Sequence, residues 1–524
     1  MQKILTITFA GLLLALGACT DLDVQPRNNL TPDVFFSTDD SYERFLTRIY
    51  AGLAVTGQAG PAGNADIKSL DEGFSSYLRQ YWQLQELPTD EAVIAWNDDG
   101  LPDLVTQSWS SNNQFVRAMY YRVFFQVSMV NEFLREATDE KLDARGVSEE
   151  VVAQMPTFRA EARFLRALSY WHAIDLFGNV PFFTEDQAVG ATAPRQAGRL
   201  EVLEYIQAEL KEIEPLMAEP GTAAYGRADR AAVWMLQAKI GLNAPVYGAT
   251  PAYNEVVDAC NNIINSGAYA LMDTYHHNFL ADNDRSSEFI FSVNFDGEAT
   301  QTFGGTTYLV HAALGGNMTD ANYGVVGAWG GLRTTPSLVD LFPDETGNID
   351  ERAIFFTDGQ TKAVGAINEF TNGYAVPKYQ NVTSDGTAGQ DPTFVDTDYP
   401  MFRFAEVHLI YAEAVLRGAT NGDIATAVTL INLLRERAYD SAAGQITADE
   451  LTLDFILDER ARELYWEGHR RTDLIRFGQF TEKGIWAWKG NVAEGQETPT
   501  FRNVYPIPVE DLLSNPNLVQ NDGY

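Results

Sequence analysis

The sequence predicts a mainly α-helical protein, a frame of paired, tetratricopeptide-like helices that carries one loop-rich, mostly irregular lobe. Three observations predict it. Apolar residues recur at spacings of three and four over most of the chain, and one segment is apolar on two helical faces. Between about residues 273 and 400 that period fades and turn residues take over.

The N-terminus reads as an export signal. Lys3 gives a short positive start, and Ile4 to Leu16 form an apolar run broken only by Thr6, Thr8 and Gly11. Leu16-Gly17-Ala18-Cys19 then puts small residues just before a cysteine. The run is too short to span a bilayer and fits the apolar core of a secretory signal. Residues 1–18 are expected to be removed, leaving Cys19 as the first mature residue with lipid on its thiol. Several acyl chains, at roughly 0.8 kcal/mol per buried CH₂, tether a protein firmly to a membrane. Residues 19–40 are polar, carry Pro26, Pro32 and Asn28-Asn29, and read as a linker from the lipid to the first helix.

Composition narrows the partners. The 524 residues carry a formal charge of −35, a field that repels phosphate backbones and argues against nucleic acid. The same field disfavours docking of the body on anionic lipid, so the lipid is left as the tether. Cys260 is the only other cysteine. It lies on the stripe Val256, Val257, Ala259, Ile263, Ile264, where a buried, unreactive thiol is expected.

Helical periods run through 41–54, 112–137, 156–177, 199–217, 227–242, 253–265, 402–416, 424–439 and 449–474. In 156–177, Phe158, Ala162, Leu165, Leu168 and Trp171 share one face, and Phe164, Ala167, Tyr170 and Ile174 share another. A helix apolar on two sides packs between neighbours in a stack. The pair 402–416 and 424–439, joined at Gly418, Asn421 and Gly422, spans about 35 residues, close to one tetratricopeptide unit. The chain thus divides into an N-terminal helical region at 41–272 with a site loop near 79–103, a lobe at 273–400, and a C-terminal helical part at 401–524. Within the lobe, Phe289–Val293 reads as a short strand.

Enzymatic chemistry leaves no constellation. There is no phosphate-cradling glycine loop ending in Lys-Ser/Thr, no Gly-x-Ser-x-Gly elbow and no His-Glu-x-x-His helix. The six histidines are scattered, and the adjacent His276-His277 make a poor metal pair. No enzyme, cofactor or metal site is expected. Binding has better traces. Trp96-Asn97-Asp98-Asp99-Gly100 sets an indole in a polar turn, and Gly327-Ala328-Trp329-Gly330-Gly331 flanks another with glycines, near Tyr323. Exposed indoles of this kind offer apolar faces to the C–H faces of sugars, with neighbouring amides and carboxylates for the hydroxyls.

Four stretches together resemble one family. They are Cys19-Thr-Asp-Leu-Asp-Val-Gln-Pro26; Ala160-Glu-Ala-Arg-Phe-Leu-Arg-Ala167 with Leu176-Phe-Gly-Asn-Val-Pro181; Glu459-Arg-Ala-Arg-Glu-Leu464 with Gly468-His-Arg-Arg-Thr-Asp-Leu474; and Tyr505-Pro-Ile-Pro508 with Asn515 to Tyr524. In this order they resemble the SusD/RagB family of surface glycan-binding lipoproteins, from Cys19 to Tyr524. Asp522 stands where the family ending usually has proline.

The resemblance implies four helix pairs, a ligand site on the lobe, a place on the outer face of the outer membrane, and a SusC-like TonB-dependent transporter as partner. The stretch from Leu87 to Asp98 is most similar to the starch-binding type, which implies capture of α-glucan oligosaccharides. Carried over by position, that type implies an aromatic arc with Trp96 and Trp329 and an arginine at Arg79. Its third aromatic is Phe303, Tyr308 or Tyr323, and its hydroxyl-binding asparagine falls at Asp99 or Asn97. Capture of peptides or another glycan is the alternative, and a secreted glycoside hydrolase the more distant one.

Overall fold

A computed structural model describes residues 31–61, 65–187, 190 and 192–524 of the chain. The expected signal segment, Cys19 and the first part of the linker lie outside the described residues. Among those described, no helix is long and apolar enough to cross a membrane.

Helix dominates the architecture. The principal helices are α1 (Asp40–Ala51), α2 (Tyr77–Glu86), α3 (Gln114–Glu136), α4 (Glu149–Phe177), α5 (Arg199–Ile213), α6 (Arg230–Asn243), α7 (Tyr253–Ser266), α8 (Gly305–Ala312), α9 (Phe404–Leu416), α10 (Ile424–Tyr439), α11 (Leu453–Leu464) and α12 (Arg470–Arg476). They lie side by side as a layered stack of helix pairs: α3 on α4, α4 on α5, α6 on α7, α7 on α9, and α9 on α10. The helical frame is tetratricopeptide-like, as the periodicity predicts.

Local chemistry explains the main elements. From Phe158 onward α4 is buried on nearly every side, the arrangement its two apolar faces require. It starts seven residues before Pro156, where the sequence pattern places its beginning. Ser148 caps it by accepting from the Val151 N–H, and Glu149 and Glu150 favour the positive end of the helix dipole. Gly241 lets α6 and α7 approach, since a Cβ there would stand 2.7 Å from Val256 Cγ2. Cys260 is buried in α7, and burial pushes its thiol up. Asp423 caps α10 by accepting from the Thr426 N–H at 2.8 Å.

Strands are few and short. Among the described residues they form three antiparallel pairs: β1 (Val93–Ile94) with β5 (Leu332–Arg333), β2 (Val180–Phe182) with β3 (Arg195–Ala197), and β4 (Phe289–Val293) with β6 (Tyr399–Arg403). β4 is the strand the sequence predicts. Its partner β6 runs straight into α9 and ties the lobe to the frame.

Two departures from the sequence pattern lie behind the loop that carries Trp96. The helix α2 is absent from the predicted helical periods. Tyr77, Leu78, Tyr81, Trp82 and Leu84 share one face, but its polar face, Arg79, Gln80, Gln83, Gln85 and Glu86, is buried as well. The segment 449–474, which reads as one helix, breaks at Tyr465–His469, where Trp466 and Gly468 have φ of 63° and 78°. The break docks on α2 and the turn after it. Trp82 Nε1 donates to the Trp466 carbonyl (2.9 Å), the Trp466 N–H to Glu91 (3.2 Å), and the Gly468 N–H to Glu86 (2.6 Å). A Cβ on Gly468 would lie 2.7 Å from the Tyr81 ring, so only glycine fits.

Charge is buried beside this junction. Arg403 bridges Glu288 (2.8 Å), Glu463 (2.7 Å) and Glu467 (2.8 Å), all almost wholly out of solvent. Burial alone would raise Glu463, but Arg437, Arg403 and Arg352 hold its carboxyl well below the usual range. Removing one partner from such a cluster strands the rest. Arg403→Ala is expected to lower unfolding free energy by about 3–5 kcal/mol, read by urea denaturation. The same change at the exposed Arg44, paired with Asp40 at 3.5 Å, should leave it essentially unchanged, because solvent screens that pair.

Glu86 and Glu91 behave differently. Burial, followed by each carboxyl's contact with the other, pushes Glu91 well above the carboxylate range, and burial raises Glu86 to about 7. An acid raised on folding contributes stability that is present below its unfolded value and lost as pH rises through the folded one. Burial also holds the neutral histidines His172, His276, His408 and His469 low, and these act in the opposite sense. The pair's share is therefore read as a difference. Between about pH 5 and 8, wild-type stability should fall relative to Glu86→Gln, measured by denaturation at each pH.

Candidate functional site

The ladder β1–β5 assembles the site. Val93 pairs with Arg333 and Ile94 with Leu332, and the Ala95 N–H donates to the Gly331 carbonyl at 2.9 Å. Continuing that register sets Trp96, just past β1, against the turn just before β5, where Trp329 stands. The Trp96 Nε1 donates to the Trp329 carbonyl at 3.1 Å, and the two ring centroids are 6.2 Å apart with planes at 45°. Both indoles pack one side on the core and leave the other partly in solvent.

The glycines around Trp329 do more than leave it uncrowded. A Cβ on Gly331 would lie 2.7 Å from Trp96 Cε2, so the Trp96 indole occupies the space that any other residue would fill. Gly327 and Gly330 have φ of 98° and 57°, which fold the turn back on itself. From the N-terminal side of that turn, Gly327 N–H donates to Asp320 at 2.8 Å. Behind it stands α8. Trp329 N–H donates to the His311 carbonyl (2.9 Å), Gly330 N–H to Leu314 (2.7 Å), and Gly331 N–H to Ala312 (2.8 Å). The His311 ring stacks on Trp329, with centroids 4.7 Å apart and planes at 21°.

Arg79, on α2, lies under this pair. Its guanidinium sits 4.2 Å from the centroid of Tyr308 and 5.7 Å from that of Trp96. Nη1 donates to the carbonyls of Gly73 (2.8 Å) and Phe303 (3.3 Å), and the buried Nε has no partner among the described residues. Burial lowers the guanidinium below its ordinary value, and Tyr308, Asp98 and Asp71 act against that. The cation is thus held in a desolvated slot beside the indoles, a position in which a hydrogen bond to a ligand is strengthened.

The expected third aromatics separate clearly. Phe303 is half-exposed, its centroid 6.5 Å from that of Trp329. Tyr308 is fully buried on α8, its hydroxyl accepts from Gln83 Nε2 at 3.1 Å, and burial pushes it up to about 12. The structure therefore corrects Tyr308 as a candidate platform: it is the floor under Arg79 and has no free face. Tyr323 is half-buried in the 3-10 turn Asp320–Tyr323 and makes no ring contact with either indole among the described residues. The side chains of Asn97, Asp98 and Asp99 are exposed on the turn after Trp96. That turn is fixed by its backbone, since Gln114 donates to the Asp99 carbonyl (2.7 Å) and Asn113 to that of Gly100 (2.7 Å).

Two residues at this place escape sequence reasoning. His311 has no motif around it, and only the α8 backbone brings it under Trp329. Phe394 is one of several single aromatics among turn residues, and its ring lies 5.4 Å from Phe303. Among the described residues, no group of three or more His, Cys, Asp or Glu is placed to hold a metal ion.

Known proteins share this chain's sequence and shape. The profile of the SusD family matches residues 346–524. The chain is 36% identical to the starch-binding protein SusD of Bacteroides thetaiotaomicron, covering 96% of this chain and 95% of that one. It is 26% identical to the SusD-like protein P25 of Formosa agariphila, covering 99% and 98%. Among solved structures, the surface glycan-binding protein A of Bacteroides thetaiotaomicron in complex with laminarihexaose superposes with a TM-score of 0.70 at 20% identity, over 92% of this chain and 99% of that one. At that identity the likeness concerns the fold.

The tight seating of Trp96 on Gly331 is testable by itself. Gly331→Ala should displace the indole, lower stability by about 1–3 kcal/mol, and shift tryptophan fluorescence toward the solvent-exposed range. Unchanged fluorescence and stability would contradict the packing.

Proposed function

The chain belongs to the SusD family, and on that footing we propose that it is a surface glycan-binding lipoprotein that captures starch-like α-glucan oligosaccharides and passes them to a SusC-like TonB-dependent transporter in the outer membrane. In this reading lipid on Cys19 holds it at the outer face. The linker ends earlier than the residues 19–40 expected, because Pro32–Phe35 is helical and Phe36 packs in the core. The relative with 36% identity over nearly the whole chain, named as starch-binding, supports the sugar class.

The observation that carries the reading is the row of half-exposed rings Trp96, Trp329 and Phe303. Neighbouring planes are tilted by 45° and 52°, so no flat ribbon of sugar lies on all three. A chain that curves, as a helical α-glucan does, meets each ring in turn. Arg79 supplies a desolvated donor beside the indoles, and Asn97, Asp98 and Asp99 supply donors and acceptors at the rim. Rings fixed before the ligand arrives lower the ordering cost of binding, while each stacking contact stays weak enough for release.

The test is calorimetric titration of the full chain in detergent with maltoheptaose. Trp96→Ala and Trp329→Ala should each weaken binding about tenfold or more, a loss of roughly 1.4 kcal/mol or above. Unchanged affinity in both variants overturns the site. Binding of laminarihexaose or of peptides in preference to maltoheptaose would reassign the ligand, and new reducing ends from incubated starch would revive a hydrolase.

A further inference from the structure

The ring row does not stop at Phe303. Phe394 lies beside it with centroids 5.4 Å apart and planes at 51°, continuing the tilts between Trp96, Trp329 and Phe303. Both phenyl rings are half-exposed, and neither belongs to the apolar shell packed on the main core. Single exposed apolar side chains are ordinary on a protein surface, but a contiguous file of aromatic rings is a patch that marks a contact.

Phe394 is also held with unusual care for a ring outside the core. The Thr393 and Phe394 N–H groups donate to Asp391 (2.7 and 2.8 Å), and the Val395 N–H to Thr307 Oγ1 (3.2 Å). The Asp396 N–H donates to Asn381 Oδ1 at 3.0 Å. The His311 ring, stacked on Trp329, has one nitrogen 2.6 Å from the Gly327 carbonyl and the other 2.9 Å from that of Thr393. The imidazole is thus packed between the loop of Trp329 and the loop of Phe394. Val395, the next residue, is buried in the core and anchors the loop there, which leaves the Phe394 ring on the outer side next to Phe303.

From this geometry we infer that Phe394 is a further glycan subsite, an outer platform that extends the site past Phe303 and selects longer α-glucan chains over short ones. The inference rests on the proposed glycan-binding role of the Trp96–Trp329 site. A trisaccharide seated on the two indoles and Phe303 ends before reaching Phe394, whereas a longer chain continues onto it. The competing account is that Phe394 only props Phe303. The two differ in what they do to ligands of different length: a prop acts on every ligand that uses Phe303, an outer subsite only on those long enough to reach it.

The experiment titrates maltotriose and maltoheptaose into the full chain in detergent, comparing wild type with Phe394→Ala, Phe394→Trp and Trp329→Ala. Phe394→Ala should leave maltotriose affinity within about twofold and weaken maltoheptaose about five- to tenfold, a loss of roughly 1 kcal/mol. Phe394→Trp should retain or strengthen the maltoheptaose preference, which also guards against a folding defect in the alanine variant. Equal losses at both lengths, or no loss at either, overturn the subsite while Trp329→Ala, weakening both sugars, upholds the main site. Failure of the wild type to bind either sugar overturns the site and the subsite together.

Discussion

The pairing of β1 with β5 is the constraint on which the rest of the site depends. Two short segments, more than two hundred residues apart, meet in one antiparallel register, Val93 with Arg333 and Ile94 with Leu332. Slipping that register by one residue would turn Trp96 to the opposite face. It is secured by more than its own few hydrogen bonds. Thr334 and Thr335 hydroxyls donate to the carbonyls of Glu91 and Asp90, and Arg333 donates to the carbonyls of Gly331, Asn372, Ile367 and Glu369. The threonine bonds tie the lobe to the turn after α2, and the arginine bonds hold the lobe's own loops to β5.

That turn is itself held by the frame. The break between α11 and α12 inserts Trp466 and Gly468 against α2, and Arg470 makes a two-pronged contact with Asp90 at 2.6 and 2.7 Å. The segment carrying Trp96 is thus fixed from behind by charged and hydrogen-bonded groups and leaves its outer side to solvent. Such buried polar layers contribute little net stability, because desolvation offsets much of the attraction. What they supply here is position. A ring platform needs fixed geometry more than it needs extra stability, and the helix stack provides stability through its apolar faces.

Sequence patterns reveal the parts of the molecule that follow a period. The helices α3, α5 to α7, α9 and α10 lie within a few residues of where their apolar spacing puts them, because each buries one or two regular faces, and α4 ends where expected but starts seven residues earlier. The short helix α2 has an apolar face in Tyr77, Leu78, Tyr81, Trp82 and Leu84, but nothing in the spacing shows that its five polar residues are buried too. The pattern misleads at 449–474, where the spacing continues through a break that exists only because Trp466 docks on a distant helix. The site divides the same way. Trp96 and Trp329 are legible as aromatics among turn residues. Phe303 and Tyr308 enter only as alternatives that the family resemblance implies, and Tyr308 is buried by α8 packing on α2. Phe394 cannot be found without knowing that the loop after Asp391 folds back toward Phe303.

The proposal that rings turned outward from the frame receive the glucan is tested most directly by a crystal structure of the chain with maltoheptaose. Sugar rings should lie on the outer faces of Trp96, Trp329 and Phe303, with Arg79 within hydrogen-bonding distance of a hydroxyl. Ordered sugar seated anywhere else, with those three faces bare, would contradict it.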